Sequence, residues 1–400
     1  MKRRRFIGQG LAGFAAAAAG PLAAFADSRQ TDNAPVKARK ILHRTLGRTG
    51  LKLPVVGMGV MNADNPELVR AALDAGLVLL DTAHVYQRGK NEEMIGQAIK
   101  GRSRDAFVIA TKIPCFNHNP QREDPPEDAQ TEGFLRMLDI SLKRLGLEYV
   151  DILHLKNPAR RPDVLRPSML KALETAKKVG KTRFVGLSTH SDEPEVIRAA
   201  VEGRLYDVVL APYNFQMDKR EDLKTAIAEA AAAGLGIIAM KTQAGVYWDK
   251  ERTKPINMKA ALKWVLLNPD IHTTIPGMTT YGQLAENLSV MENLEMTDQE
   301  RLDLRLDGRP AGLFCQQCRT CLAQCPKVLP IPDLMRAYMY AYGYRNMGLA
   351  HDLLSSLDLP GEVCDRCGEC SVRCAKGFDI PSRVRDIDRL RNLPRELLGA

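Results

Sequence analysis

Eight of the nine cysteines fall into two short runs near the carboxyl end of the chain. Each run has the spacing Cys-x2-Cys-x2-Cys-x3-Cys, which places three thiolates around one face of a four-iron cluster and directs the fourth elsewhere. The runs are Cys315, Cys318, Cys321 and Cys325, and Cys364, Cys367, Cys370 and Cys374. They are offset by 49 residues, and an Ile-Pro pair follows each at the same distance. This internal duplication predicts two [4Fe-4S] clusters.

In paired runs of this kind the fourth cysteine of each usually binds the other cluster. The predicted ligand sets are Cys315, Cys318, Cys321 and Cys374 for one centre, and Cys364, Cys367, Cys370 and Cys325 for the other. A zinc site is the competing interpretation, which the four-cysteine runs and the Cys325-Pro326 pair disfavour. The segment Leu334 to Leu357 between the runs is helical in pattern, so the module resembles an α-helical dicluster ferredoxin. The ninth cysteine, Cys115, is interpreted as a buried, inert thiol rather than a residue of an active-site mouth.

Between residues 41 and 306, short β-branched runs alternate with amphipathic helical patterns. The strand candidates are Leu53–Val60, Leu77–Asp81, Phe107–Lys112, Tyr149–Lys156, Arg183–Ser188, Asp207–Ala211, Gly236–Met240 and Thr273–Pro276. The helix candidates are 66–75, 91–100, 131–146, 167–179, 193–202, 219–233, 257–268 and 280–292. Eight repeats predict an α/β fold, a (β/α)8 TIM barrel, in preference to a doubly wound sheet. Its active site is expected at the carboxyl ends of the strands.

Reactive side chains stand at those strand ends. Asp81 ends the second strand, with Tyr86 five residues further on, and Lys112 ends the third. His154 and Lys156 end the fourth strand and, being two residues apart, share one face of it. Taken alone, Asp81 is a helix cap or turn residue and His154 is a histidine packed inside the barrel. Taken together, the five residues predict a catalytic site.

Ordered motifs across this region resemble the aldo-keto reductases. They are Asp81-Thr-Ala-His84-Val-Tyr86-Gln, Val108-Ile-Ala-Thr-Lys112, Leu145-Gly-Leu-Glu-Tyr149-Val-Asp151, Gly186-Leu-Ser188, Ile275-Pro276-Gly277 and Glu286-Asn287. The resemblance implies hydride transfer between a nicotinamide ring and a small carbonyl or alcohol substrate, with Tyr86 donating or accepting the proton. It further implies that Lys112 lowers the pKa of the Tyr86 phenol from about 10 toward neutrality, and that Asp81 holds Lys112 charged and in place.

Position 156 departs from the family pattern, because Lys156 stands where the family carries the His that orients the substrate carbonyl. A lysine there can donate a hydrogen bond to a developing oxyanion, and it disfavours cationic substrates. His154, one pleat earlier, is the alternative donor.

The resemblance places a nicotinamide cofactor against residues that follow the later strands. They are Ser188, Tyr213, Asn214, Gly277, Glu286 and Asn287. Here Ser188-Thr189 replaces the usual Ser-Asn, Leu210 replaces a Gln, and the positions that grip an adenosine 2′-phosphate fall on Gly277 and Gln283. NAD(P)H is thus implied as a cofactor, whereas the charged contacts that select NADP are not predicted. Glu286 and Asn287 are alternatively an ordinary helix surface pair.

The first 26 residues are predicted to be a signal peptide. A basic start is followed by an apolar Gly/Ala-rich stretch and by Ala24-Phe25-Ala26, a cleavage site. Arg3-Arg4-x-Phe6-Ile7 resembles the twin-arginine signature, which directs export through the twin-arginine translocase. Export in the folded state suits clusters that are assembled where thiols stay reduced. We therefore expect a periplasmic protein, with a transmembrane anchor as the alternative.

The 400 residues, 45% of them hydrophobic, suffice for a barrel of about 250 residues and a small second domain. The expected domains are the signal peptide 1–26, a linker 27–40, the barrel 41–306 and the cluster domain 307–392. The net charge of +9 includes the basic residues 2–5, and no clustered basic face predicts a nucleic-acid partner.

These features predict an exported oxidoreductase that interconverts a carbonyl and an alcohol while its clusters exchange electrons with a partner redox protein. The alternative is an electron-transfer or assembly subunit whose barrel is only a scaffold. Retention of Asp81, Tyr86 and Lys112 favours the enzyme, because a scaffold does not need that charged trio. In a third interpretation the clusters are structural and pin the tail to the barrel.

Overall fold

Eight parallel strands form the sheet at the centre of the protein, in chain order around a barrel. The computed structural model describes residues 41–115, 125–217, 220–249, 251–304, 313–361, 363–364, 367 and 370–398, which belong to one compact unit. The barrel strands β3 to β10 are Met58–Gly59, Leu79–Asp81, Val108–Pro114, Val150–Lys156, Thr182–Ser188, Val208–Pro212, Gly236–Met240 and Thr273–Thr274. Parallel bridges from Val56 to Thr274 and from Gly59 to Gly277 join the first strand to the last. The (β/α)8 prediction is confirmed.

The predicted first strand, Leu53–Val60, is two separate elements. Its start belongs to strand β2, Lys52–Pro54, which pairs antiparallel with β1, His43–Thr45, and only Met58–Gly59 joins the barrel. A Cβ on Gly59 would lie 2.6 Å from the carbonyl oxygen of Ile275. The close approach that completes the barrel therefore requires glycine at this position.

Helices alternate with the barrel strands, as the periodicity predicts. Helices α1 to α10 are Pro66–Asp74, Lys90–Ile99, Glu127–Leu145, Arg161–Val164, Pro167–Lys178, Glu193–Glu202, Glu221–Ala232, Met258–Leu266, Tyr281–Val290 and Asp298–Asp303. Their apolar faces pack on the outward-facing strand residues, among them Leu153 and Leu155 of β6. Since strand side chains alternate, His154 and Lys156 of the same strand point into the barrel.

The carboxyl-terminal module is helical and has its own apolar core. Its helices α11 to α13 are Ile331–Tyr338, Met347–Ser355 and Ile380–Asp388, and a π-helical turn, Met339–Gly343, extends α11. The segment Leu334 to Leu357, which is helical in pattern, is thus helical in the structure except for a break after Gly343. Asn346 begins the next helix, because its side chain accepts a hydrogen bond from the Leu349 amide.

The predicted signal peptide and linker, residues 1–40, lie outside the described residues. In the part of the chain that the structure describes, no helix is both long enough and apolar enough to span a membrane.

Candidate active site

Asp81, Lys112 and Tyr86 meet at the carboxyl ends of β4 and β5, where the strand pattern places them. Lys112 Nζ donates hydrogen bonds to Asp81 Oδ1 and, at 2.6 Å, to the carbonyl oxygen of Thr82. Both charged side chains are buried. Lys112 Nζ lies 5.1 Å from the centre of the Tyr86 ring. The cation thus faces the aromatic side chain that the family motif assigns to proton transfer.

The proton affinity of Tyr86 differs from the expectation. Burial, followed by the negative charge of Asp81, raises the pKa of Tyr86 above its ordinary value. The expected lowering does not occur because Lys112 is paired with Asp81, so the ammonium charge is largely compensated where the phenol lies. Tyr86 is therefore a neutral phenol in this structure, and it can donate a proton.

The loop that carries Tyr86 is anchored to helix α3. Arg144 donates from Nη1 to the carbonyl oxygen of His84 at 2.9 Å and to the buried Glu92 at 3.1 Å. Gly89 ends the turn after Tyr86 with a φ of +93°, and a Cβ there would lie 2.2 Å from Arg144 Cζ. The position of Tyr86 thus depends on the Arg144–Glu92 ion pair and on Gly89, all of which lie outside strand β4.

His154 and Lys156 differ in environment although both point into the barrel. His154 packs against β7, where a Cβ on Gly186 would lie 2.6 Å from His154 Nδ1. Burial and the charge of Lys112 lower the pKa of His154 to about 3, so the ring is neutral. Lys156 is only partly buried, and it lies nearer the barrel mouth. Lys156 is thus the β6 side chain placed to meet a substrate.

The module covers the barrel mouth on the side of β7, β8 and β9. Arg336 Nη2 donates to Ser191 Oγ at 3.0 Å, and Asn214 Nδ2 donates to Gln316 Oε1 at 3.2 Å. Other contacts join Arg252 to the carbonyl oxygen of Tyr342 at 3.2 Å and Arg319 to Asp192 at 3.6 Å. These polar contacts fix the module directly over the catalytic end of the barrel.

Three module residues reach the catalytic centre, and sequence reasoning missed them. Arg336 and Tyr340 are buried, and Tyr344 is partly buried. The phenols of Tyr340 and Tyr344 are close enough to Tyr86 for mutual electrostatic interaction, and their rings lie 5.6 Å apart. The spacing of four residues, which places them on one helical face, was a signal available in the sequence.

Lys241 was missed as well, although it directly follows β9 and so obeys the strand-end rule. Lys241 Nζ lies 5.5 Å from the centre of the Tyr340 ring. Burial and the charge of Arg336 lower the pKa of Lys241 to about 7.

The residues expected to bind a nicotinamide are not all available. Tyr213 points outward, with Oη 3.3 Å from Asn268 Nδ2, and Asn214 is engaged by Lys241 and Gln316. Gly277 faces Gly59 where the barrel closes. Ser188 is buried at the end of β7, Glu286 is exposed, and the buried Asn287 Oδ1 has no hydrogen-bond partner among the described residues. Among the described candidates, Tyr213 and Asn214 are thus engaged elsewhere, whereas the Glu286–Asn287 end, which the family uses for adenine, is open to a dinucleotide.

The module cysteines form two groups, each drawn from both runs. Cys315 interacts electrostatically with Cys318, Cys321 and Cys374. A cavity of about 60 Å³ is lined by the other four, together with apolar side chains. The four are Cys325, Cys364, Cys367 and Cys370. This exchange of the fourth cysteine is the crossed arrangement that the spacing predicts.

The surroundings of the thiols fit an iron-sulfur group. Backbone amides of Gln317 and Lys376 donate to the sulfurs of Cys315 and Cys374 at 3.3 and 3.4 Å. Among the described residues, no three His, Cys, Asp or Glu side chains converge closely enough to bind a single metal ion. Cys115 lies apart from both groups and is buried, and burial raises the pKa of its thiol to about 12.

Curated relatives of known name align with the barrel region of this chain. L-galactose dehydrogenase from Arabidopsis thaliana is 28% identical over 303 residues, which are 66% of this chain and 92% of that protein. D-threo-aldose 1-dehydrogenase from a Pseudomonas species is 27% identical over 218 residues, or 48% of this chain and 66% of that protein.

Solved structures show the same fold. An aldo-keto reductase from Bacillus halodurans, in its holo form, superposes with a TM-score of 0.52 at 23% identity and covers 66% of this chain and 95% of its own. An aldo-keto reductase from Klebsiella pneumoniae, solved with NADPH, gives a TM-score of 0.52 at 21% identity with the same coverage.

Two family models match the chain. The 4Fe-4S dicluster domain matches residues 314–379, which contain all eight clustered cysteines. The aldo/keto reductase family matches residues 56–260, just over half of the chain. With the barrel and the Asp81–Tyr86–Lys112 constellation in place, the chain belongs to the aldo/keto reductase family.

Proposed function

We propose that this oxidoreductase interconverts a carbonyl and an alcohol at Tyr86 and exchanges the electrons with a partner redox protein through two [4Fe-4S] clusters. One observation carries the proposal: the cysteine-bearing module contributes Tyr340 and Tyr344 to the surroundings of Tyr86 and places Arg336 near Lys156. A module that only held the carboxyl-terminal tail against the barrel would not need to enter the catalytic centre. The charge of Cys315 also acts on Lys241 and Arg336, so the first thiol group adjoins these cations.

The chain's own residues supply the acid. Reduction of a carbonyl consumes two electrons and two protons, and the neutral Tyr86 phenol donates one proton to the carbonyl oxygen. Lys112 stabilises the phenolate that remains, and Asp81 keeps Lys112 protonated and in place. Lys156, which lies nearer the barrel mouth, is placed to contact the substrate beyond this oxygen. The crossed cysteine groups would hold the clusters, each of which takes up or releases one electron when bound.

A nicotinamide is the expected hydride donor, bound through Ser188 at one end and through Glu286 and Asn287 at the other. Two observations favour a second candidate function. The Asn214 side chain is hydrogen-bonded to Lys241 and Gln316, and Tyr213 points out of the barrel. In that alternative the barrel carries no hydride chemistry, and the chain is an electron-transfer or assembly subunit.

Anaerobic purification of the mature protein separates these functions. We expect about eight irons with matching sulfide for each chain, and stoichiometric nicotinamide on denaturation. Addition of an alcohol substrate should then bleach the cluster absorbance. Eight irons without nicotinamide, and without tight binding of added NADH or NADPH, would contradict hydride transfer and leave the subunit function.

We further propose that the protein works in the periplasm after export by the twin-arginine translocase. Arg3-Arg4 and the Ala24-Phe25-Ala26 site support this proposal. The double substitution Arg3→Lys and Arg4→Lys should leave the iron-loaded protein in the cytoplasm, because the receptor recognises the arginine pair. Fractionation followed by immunoblotting checks this, with a Lys2→Ala variant as the exported control. Undiminished export of the double variant would argue against this route.

A further inference from the structure

Four cations converge at the mouth of the barrel. Lys112 is paired with Asp81, and Arg336 with Asp333. Among the residues that the structure describes, neither Lys156 nor Lys241 forms an ion pair with a carboxylate. His190 lies among all four cations, whose charges act on its ring together. The mouth therefore contains positive charge that its nearest side chains do not compensate.

Compensation from the surrounding carboxylates is incomplete. Glu193 is buried near Lys241 and Arg336, but it also faces Arg220 at 3.7 Å. The described charges that act on Lys156 come from Lys112 and Arg336, both of them cations. Burying like charges without a counter-ion is costly, and a bound anion removes that cost.

Unpartnered polar atoms lie beside the same cations. Thr242 follows Lys241 in the chain, and its buried Oγ1 has no hydrogen-bond partner among the described residues. The Nε atom of the buried Arg336 is also without one. Both are donors, as an oxyanion requires.

We infer that Lys156, Lys241 and Arg336 form an anion site that binds the carboxylate of the substrate. The substrate class is then an oxo acid or its hydroxy acid, with the reacting oxygen at Tyr86. The inference rests on the proposed function, and it assigns the lysine at position 156 a role in specificity. Its partner Arg336 comes from the module, so the substrate site is complete only when the module is docked.

The position of Lys156 favours a substrate carboxylate over other anions. In the register of β5 and β6, Lys112 lies opposite His154, so Lys156 stands one pleat further toward the mouth, and Lys112 faces the Tyr86 ring at 5.1 Å. An anion at Lys156 therefore lies on the side of the barrel that carries the reacting oxygen. The thiol of Cys315 acts on Lys241 and Arg336, whereas it is not among the charges that act on Lys156. If an iron-sulfur cluster were the only anion near these cations, the positive charge of Lys156 would remain uncompensated.

Matched aldehydes test the inference in the holoenzyme. The probes are 4-formylbenzoate and its neutral methyl ester. In the wild type we expect kcat/KM for the acid to exceed that for the ester. Lys156→Met should reduce this ratio by about tenfold to a hundredfold, the usual loss for one charge-assisted hydrogen bond. Lys156→Arg should keep most of the preference. Lys100→Met, which changes an exposed lysine at the carboxyl end of α2, should leave the ratio unchanged.

Binding of a non-reactive anion separates this inference from the proposed function. Isothermal titration should detect benzoate but not benzamide, and Lys156→Met should lose benzoate. Binding should weaken as the pH rises above about 8, because burial and neighbouring cations lower the pKa of Lys156 to about 8. Lys156→Arg should lose less affinity over that range. These results would support the anion site even if neither aldehyde were turned over.

Three outcomes would overturn the inference. Equal loss of both aldehydes together with weaker NADH binding would assign the cations to a dinucleotide phosphate. An unchanged ratio with a shifted cluster reduction potential would assign them to the cluster. Absence of benzoate binding to the wild type would remove the site altogether.

Discussion

Tyr86→Phe is expected to lower kcat by about 10²- to 10⁴-fold, the usual contribution of general acid catalysis. The change removes one hydroxyl and leaves the ring that faces Lys112 at 5.1 Å, so the packing of the site is preserved. Cluster content and the unfolding temperature should match those of the wild type. Steady-state rates with the preferred carbonyl measure the effect.

Tyr281→Phe is the matched control for this prediction. Tyr281 lies exposed at the start of α9, so its loss should leave kcat unchanged. A Tyr86→Phe enzyme that kept kcat within tenfold of the wild type would contradict the acid role of Tyr86 and would assign proton transfer to another residue. If kcat for carbonyl reduction falls while the alcohol still bleaches the clusters at the wild-type rate, Tyr86 is not the proton acceptor for alcohol oxidation.

Cys374→Ser is expected to remove the cluster whose other ligands are Cys315, Cys318 and Cys321, although Cys374 belongs to the second run. The structure groups these four thiols, so Cys374→Ser and Cys315→Ser should lose the same electron paramagnetic resonance signal. Each variant should retain about four of the eight irons. Cys325→Ser and Cys364→Ser should instead lose the other signal, because those two thiols line one cavity.

Cys115→Ser is the control, since its buried thiol belongs to neither group and all irons should remain. If Cys374→Ser and Cys364→Ser lost the same signal, each run would hold its own cluster, and the crossed arrangement would be wrong. Iron and sulfide analysis of the anaerobically purified variants completes the measurement.

The barrel and its catalytic trio were predictable because their signals are local. Strand and helix periodicities recur eight times, and a polar residue at a strand end lies at the catalytic end of a barrel whatever its neighbours are. Asp81, Lys112 and Lys156 follow from that rule, and Lys241 obeys it too. The cysteine spacing is an equally local signal, because the geometry of a four-iron cluster requires two or three residues between successive cysteine ligands.

The direction of the Tyr86 pKa shift could not be obtained in the same way. A motif indicates that Lys112 is near the phenol, but the sign of the shift depends on burial and on how completely Asp81 compensates the ammonium charge. Both are properties of packing. The outward direction of Tyr213, which directly follows β8, likewise depends on the register of that strand, and a shift of one residue would reverse it.

By itself, the sequence determined an aldo/keto reductase barrel, with Asp81 and Lys112 at the ends of two of its strands. It also determined eight cysteines in two runs with the spacing of cluster ligands. Only the tertiary structure decided that the module covers one side of the barrel mouth, with Tyr340 and Tyr344 near Tyr86 and Arg336 near Lys156. The contact from Arg336 to Ser191 spans 145 residues of chain. No periodicity or spacing encodes a contact of that range, because it arises from the complementarity of two surfaces that are far apart in the chain.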